Sequence, residues 1–308
     1  MGRQEGIQAN TVFTKARITG VDTSRLSDEL DSGRIVLVAG FQGVSIDEDI
    51  TTLGRGGSDT TAVATAAALE DEDCEIYTDV YGVYTADPRV VKLARKLDVI
   101  SYQEMLEMAA TGSEVLMLRS VEYAQKFNVP LHVRSSFTDE PGTWVREADE
   151  TMEKAVVSAV SHTTDESKLT LLRLPDRPGV AATVFGDLAE AGVNVDMIIQ
   201  NVSEQGTTDI SFTVVQADLP AAQQALDRIT DELGVAYVMG EQMGKVSIIG
   251  AGMKSYPGVA AKMFKTMSDE GINIEMISTS SIKVSCVIER DQVEKAVREL
   301  HAAFNLKQ

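Results

Sequence analysis

Thr52-Leu53-Gly54-Arg55-Gly56-Gly57-Ser58-Asp59-Thr60-Thr61 runs straight into the alanine-rich Ala62-Val63-Ala64-Thr65-Ala66-Ala67-Ala68-Leu69. Alanine is the strongest helix former, and Ser58 or Asp59 is placed to cap the helix. A glycine loop therefore opens onto a helix N-terminus, where free backbone N–H groups and the dipole favour an anion. Arg55 adds a planar fork suited to a carboxylate or a phosphate. The plainer alternative is an ordinary capped helix after a flexible loop. The spacing is not the Gly-x-x-x-x-Gly-Lys-Ser/Thr of a P-loop.

Upstream, Gly6 to Thr14 reads as a loop and Ser24 to Asp31 as a short amphipathic helix ending near Gly33. Arg34-Ile35-Val36-Leu37-Val38-Ala39-Gly40 is a continuous apolar run between glycines, the pattern of a strand buried on both faces. Downstream, Glu70-Asp71-Glu72-Asp73 is a solvated connection, and Cys74-Glu75-Ile76 reads as a short buried strand. That strand spills into Tyr77-Thr78-Asp79-Val80-Tyr81-Gly82-Val83-Tyr84-Thr85-Ala86-Asp87-Pro88-Arg89. Open α/β sheets place ligands at such carboxyl ends, although a solvated Asp-Pro-Arg turn has the same composition. Helical patterns over 102–111 and 113–127 and a strand over 130–134 follow, so strands and helices alternate as in an α/β layer structure.

Composition narrows the function. With 308 residues, 44% of them hydrophobic, the chain has room for two or three domains. A net charge of −19 argues against nucleic acid or an anionic membrane as partner. No apolar run approaches the ~18 residues of a membrane span. The N-terminus has neither a secretory h-region nor a myristoylation signal. Two cysteines, Cys74 and Cys286, lie in separate apolar strands and read as buried thiols in a reducing, cytoplasmic setting. His132, His162 and His301 show no metal-ligand spacing, and no protein metal site is expected.

The second half contains an internal repeat. From Glu140 to about Ser167 the chain is polar and acidic apart from the apolar run 155–160, read as a linker and a strand. Pro178-Gly179-Val180-Ala181-Ala182 then recurs 79 residues later as Pro257-Gly258-Val259-Ala260-Ala261. At the same offset Gly192, Asn194, Asp196 and Met197-Ile198 match Gly271, Asn273, Glu275 and Met276-Ile277. Each copy reads strand, helix, strand, strand, helix. In the first, these are 169–174, 179–191, 193–202, 209–215 and 220–232, with Ala181, Phe185, Leu188 and Ala189 as the apolar stripe of the first helix.

The motifs 38–43, 52–61, 77–80, 84–89 and 133–136, in this order and spacing, resemble the aspartokinases in the form found in actinobacteria, and the likeness covers essentially the whole chain. The resemblance implies a partial amino-acid-kinase (carbamate-kinase-like) αβα sandwich over 1–145, lacking the N-terminal part of that domain. A linker and strand would follow over 146–167, and then two ferredoxin-like βαββαβ ACT domains over 168–240 and 241–308. It implies phosphoryl transfer from ATP, with Mg2+, to the side-chain carboxylate of L-aspartate, the entry step to lysine, threonine and methionine. Arg55 and Asp59 would be catalytic. Phe13, Thr14, Arg55, Gly56, Gly57 and Ser58 would bind substrate. Thr78, Asp79, Tyr84, Thr85, Ala86, Asp87, Pro88, Arg89 and Glu114 would line the nucleotide.

In the family, effector sites form where ACT modules meet, which points to Asp176, Asn194, Val195, Asp196, Gln200, Asn273, Ile274 and Glu275, with Met253 and Lys254 in a second loop. Lysine, threonine or both would be effectors, on a homodimer or hetero-oligomer joined through the ACT domains. This sequence departs from the family at Tyr81, where aspartate is usual, and at Glu114, where lysine is usual. The family's opening Lys-x-Gly-Gly module would lie upstream of Met1. These departures leave open an alternative within the family, a catalytically incomplete chain that binds amino acids and assembles with a complete one. Glutamate or uridylate kinase fits the ACT pair and the Arg55 loop less well.

Overall fold

The computed structural model describes residues 6–148, 155–201 and 206–307; Met1 to Glu5, residues 149–154 of the expected linker and Val202 at the end of an expected strand lie outside that set. The chain divides into two compact units: Met1–Ala159 with Ile249–Gly252 and Asn305–Gln308, and Val160–Ile248 with Met253–Phe304.

The first unit holds two mixed sheets. One has the order β2-β1-β3-β4, from β1 (Ile7–Ala9), β2 (Ile18–Val21), β3 (Gln42–Val44) and β4 (Ile50–Thr52). The other has the order β5-β7-β8-β6, from β5 (Cys74–Thr78), β6 (Val99–Ser101), β7 (Leu131–Ser135) and β8 (Thr143–Arg146). Its helices are α1 (Ser24–Asp31), α2 (Gly57–Leu69), α3 (Tyr102–Ala110) and α4 (Leu118–Phe127). In β7, Leu131, Val133 and Ser135 are buried while His132 and Arg134 are not, the period-2 signature of one covered face. Val63, Ile76, Met105, Val121, Leu131 and Val133 form the core between that sheet and its helices. The start of α3 is fixed by a capping box between Ser101 and Glu104. Glu104 also accepts from Ser158 Oγ at 2.6 Å and from the Ala251 N–H at 3.0 Å, so its buried carboxylate is fully used.

Four expectations for this unit are corrected. The segment 34–40 is not a buried strand: Ile35 is 101% and Leu37 98% exposed. An apolar run is buried only if a sheet receives it, and none of the sheets formed by the described residues includes 34–40. The segment 6–14 is not all loop, since Ile7 and Ala9 are buried and pair with Val21 and Ile18. The N-cap of α2 is Gly56, with φ 72°, and neither Ser58 nor Asp59. The helix expected from 113 starts at Leu118, because Met117 is held extended as its N-cap.

Gly142 enters β8 with no room for a side chain: a Cβ there would lie 1.8 Å from the Val133 carbonyl oxygen. Gly142→Ala is expected to destabilise this unit by about 3 kcal/mol, since a backbone atom cannot yield as a side chain can. Urea unfolding measures it.

The second unit is built on one six-stranded sheet of order β10-β11-β9-β12-β14-β13. Its strands are β9 (Ala159–Pro175), β10 (Ile198–Gln200), β11 (Thr207–Val215), β12 (Ala236–Ile249), β13 (Met276–Thr279) and β14 (Lys283–Glu289). The helices are α5 (Val180–Glu190), α6 (Leu219–Leu233), α7 (Val259–Asp269) and α8 (Val293–Ala303). The sheet follows the repeat: each copy contributes three strands, and the first strands of the two copies, β9 and β12, lie side by side at its centre. The buried stripe of α5 is Val180, Val184 and Leu188, offset from the expected one. Among the described residues of the expected strand over 193–202, only Ile198–Gln200 is regular, as β10, and 193–197 forms a loop.

Candidate functional site

The glycine loop owes its shape to its neighbours. Gly54 and Gly56 both have positive φ (81° and 72°), which glycine adopts without penalty. A Cβ on Gly56 would stand 2.4 Å from Met117 Cβ, so α4 packs directly against the loop backbone. The hydroxyls of Thr60 and Thr61 donate back to the Gly56 and Gly57 carbonyls at 3.0 and 2.8 Å. Phe13 and Thr14 lie alongside: the Thr52 N–H and hydroxyl donate to the Phe13 carbonyl at 2.8 and 2.9 Å. A Cβ on Gly54 would be 3.2 Å from the Thr14 carbonyl oxygen. The expected substrate residues are thus adjacent in space.

Arg119 joins the two segments. Its guanidinium donates to the Leu53 carbonyl at 2.6 Å and the Ala16 carbonyl at 2.8 Å, and burial lowers its pKa. Sequence reasoning missed it. Its only signal was an arginine directly after the apolar 115–118 at the start of α4.

The Arg55 guanidinium is exposed and stands 3.1 Å from Glu114 Oε1. Ser58 is exposed beside Gly40, and Asp59 is half-buried, with burial raising its pKa.

The second loop is stapled at both ends. The Ser136 N–H donates to the Thr78 carbonyl at 2.8 Å, and the Thr78 hydroxyl donates to Asp79 at 3.1 Å. Gly82 has φ 143°, and a Cβ there would lie 2.5 Å from the Thr143 hydroxyl. That hydroxyl accepts from the Val83 N–H at 2.9 Å and donates to the Leu97 carbonyl at 2.6 Å. Lys96 donates to the Pro141 and Gly142 carbonyls at 2.5 and 2.8 Å. Thr85 and Ala86 are buried, and Tyr84 is half-buried, with burial raising its pKa. Asp87 and Arg89 form a local clamp: Asp87 accepts from the Arg89 backbone at 2.8 Å and from its guanidinium at 2.7 Å. Pro88 and the Arg89 side chain are exposed. Arg89 is shifted further toward its charged form first by Asp87, then by Glu114 and Asp79. Glu114 is thus bonded to Arg55, and its charge is a lesser contributor to the Arg89 shift. Lys96→Met is expected to loosen the loop without unfolding the unit; amide exchange over 82–89 should rise several-fold.

In the second unit the expected effector residues Asn194 to Asp196 and Asn273 to Glu275 lie in matching loops ahead of β10 and β13. The Asp176 N–H donates to the Gly206 carbonyl at 2.9 Å. The Asn194 N–H points to Asp218 at 3.4 Å, and the Asp196 N–H donates to the Thr213 carbonyl at 3.1 Å. Val195 is half-buried and Gln200 ends β10 exposed. In the other copy, Asn273 Nδ2 donates to Glu275 Oε1 at 2.9 Å, and Ile274 between them is half-buried. Met253 and Lys254 fall in a 3-10 turn, Ala251–Ser255.

Comparison with known proteins bears on both units. The model of the amino acid kinase family matches residues 2–135, and two ACT domain models match 168–233 and 246–304. An aspartokinase of Mycolicibacterium smegmatis is 53% identical over 311 residues, 99% of this chain and 74% of that protein. The chain belongs to the aspartokinase family. A second aspartate kinase, from Pseudomonas fluorescens, is 52% identical over 99% of this chain and 74% of its own length. Among solved aspartokinases, Escherichia coli aspartokinase III in complex with aspartate and ADP (R-state) superposes with a TM-score of 0.80 at 30% identity, covering 97% of this chain and 68% of that one. The same enzyme in complex with lysine and aspartate (T-state) gives 0.73 at 30% identity, over 98% and 68%. The fold is thus an amino-acid-kinase fragment followed by two ACT domains.

Proposed function

We propose that this chain is an aspartate kinase: a side-chain carboxylate oxygen of L-aspartate attacks the γ-phosphorus of ATP, the bond to the β,γ-bridging oxygen breaks, and 4-phospho-L-aspartate and ADP result. The observation that carries the reading is the glycine loop, whose left-handed Gly54 and Gly56 hold Arg55 at the N-terminus of α2. Phosphoryl transfer requires mainly positioning and charge neutralisation. Arg55 would take the aspartate carboxylates, with Phe13, Thr14, Gly56, Gly57, Ser58 and Asp59 shaping the pocket and Arg119 fixing its backbone. Thr78, Asp79 and Tyr84 to Arg89 would line the nucleotide. Among the described residues no group of three or more His, Cys, Asp or Glu is placed to hold a metal. Mg2+ would enter with the ATP phosphates, as it commonly does.

The Arg55–Glu114 pair favours a second reading, a regulatory chain whose arginine is already occupied. Both side chains are well exposed, at 78% and 65%. Such pairs contribute only about 0–1 kcal/mol, so a dicarboxylate can displace Glu114, and the first reading stands.

The proposed effectors are lysine, threonine or both, at the loops holding Asp176, Asn194 to Asp196 and Gln200 in one copy and Asn273 to Glu275 in the other. Assembly as a homodimer or hetero-oligomer would use the ACT domains. No helix among the described residues is long and apolar enough to cross a membrane, and the proposed setting is the cytoplasm. Calorimetric titration of aspartate tests the site. Arg55→Ala is expected to weaken binding by more than tenfold, the loss of a bidentate charged contact. Unchanged affinity would remove Arg55 from the site.

A further inference from the structure

In the ACT pair, Glu166 and Lys245 are repeat-equivalent positions, as are Asp196 and Glu275, each separated by 79 residues. Lys245, on β12 of the second copy, bonds Glu166 Oε1 on β9 at 2.7 Å and also pairs with Asp196, in the loop of the first copy. Lys168, on β9 of the first copy, bonds Glu275 Oε2 at 2.9 Å, in the loop of the second copy. Each loop acid is therefore held by a lysine from the central strand of the other repeat. The two lysines are not equivalent positions: Lys168 matches Ser247, two residues beyond Lys245 on the same face of the strand. The crossed arrangement is thus reached with different residues in the two copies.

A second contact joins the loops. Met197 and Met276, also repeat-equivalent, directly follow the loop acids and pack in one small cluster with Met243 and Val287. Methionine fills such contacts adaptably, so a shift of one loop is met by the other without opening a void. The anchors differ in depth. The Lys245 and Glu166 side chains are each 4% exposed, whereas Lys168 is 19% and Glu275 31% exposed. Asn273 takes the second oxygen of Glu275.

We infer that Lys168 and Lys245 are positioning residues exchanged between the repeats, which make the turns 194–197 and 273–276 one mechanically coupled element. The inference rests on the effector reading above for its role, and it adds how the two candidate sites communicate. A ligand ammonium that draws Glu275 from Lys168 would release a side chain rooted in the first copy. By linkage, any change in affinity passed from one turn to the other is reciprocal.

Hydrogen exchange on the full chain tests it, comparing wild type with Lys168→Met, Lys245→Met and the milder Glu275→Gln and Asp196→Asn. Lys168→Met is expected to speed exchange about tenfold over 272–277, and Lys245→Met over 193–198, the loss of one charge-assisted hydrogen bond. Glu275→Gln should reproduce the first pattern and Asp196→Asn the second, should Lys245→Met fail to fold. Lys168→Arg should restore protection. Loosening confined to the strand carrying each replaced lysine, or no localised change, would overturn crossed anchoring. A parallel arm adds L-lysine and L-threonine. If neither protects either turn, the effector reading fails, while the variant pattern still decides the anchoring. If one turn is protected directly, the other must respond in wild type and not in Lys168→Met; a silent second turn would overturn the coupling.

Discussion

Lys245→Met will destabilise the ACT pair by about 3–5 kcal/mol at neutral pH, the cost of stranding a buried carboxylate. In the wild type, burial raises the Glu166 pKa above its ordinary 4.5, against the attraction of Lys245. Burial also works against the Lys245 ammonium, but Glu166 and Asp196 outweigh it and leave its pKa raised. Without the lysine, Glu166 keeps the burial and loses the attraction. A carboxyl with a raised folded pKa contributes stability below its unfolded pKa and loses it as pH rises through the folded value. The deficit of Lys245→Met should therefore be small near pH 4 and grow toward pH 7, as read by urea unfolding across that range. The double variant Lys245→Met with Glu166→Leu should recover most of the loss, because an apolar pair of similar volume replaces a buried ion pair at little cost. Asp196, 43% exposed, remains solvated in both.

Gly56→Ala will cost about 3 kcal/mol and weaken aspartate binding by more than tenfold. Two effects add. The backbone has φ 72°, a left-handed conformation costing roughly 1–2 kcal/mol for a residue with a Cβ. The new methyl would also meet Met117 Cγ at 2.0 Å and Cβ at 2.4 Å. Met117→Ala leaves its own Cβ in place, so it should not rescue. Met117→Gly should relieve the contact and leave only the backbone part. Thermal unfolding separates the two contributions, and calorimetry reads the binding loss, because the loop presents Arg55.

What the sequence made legible was local or repetitive. The helix 24–31 carried its own amphipathic pattern and Gly33 stop. The strand at 131 carried period 2, and the ACT pair carried a fixed offset. The glycine loop was legible because its residues are contiguous. What was not legible depends on partners distant in the chain. The run 34–40 has strand composition, but composition does not supply a sheet. The α5 stripe falls on Val180, Val184 and Leu188, because helical phase is set by the sheet that α5 covers. Arg119 looks like any surface arginine until the Leu53 and Ala16 carbonyls are seen to converge on it. Lys168 and Lys245 match different positions of the repeat, so aligning the copies hides the crossing of their contacts.

The Arg55 and Thr78–Arg89 loops are proposed to form a site for aspartyl phosphorylation. Hydroxylamine trapping tests it most directly: purified chain is incubated with ATP, Mg2+, L-aspartate and hydroxylamine, and aspartyl hydroxamate is measured. ATP-dependent hydroxamate is expected from the wild type, and its loss in Arg55→Ala. No hydroxamate from folded wild-type chain, or formation undiminished in Arg55→Ala, would contradict it.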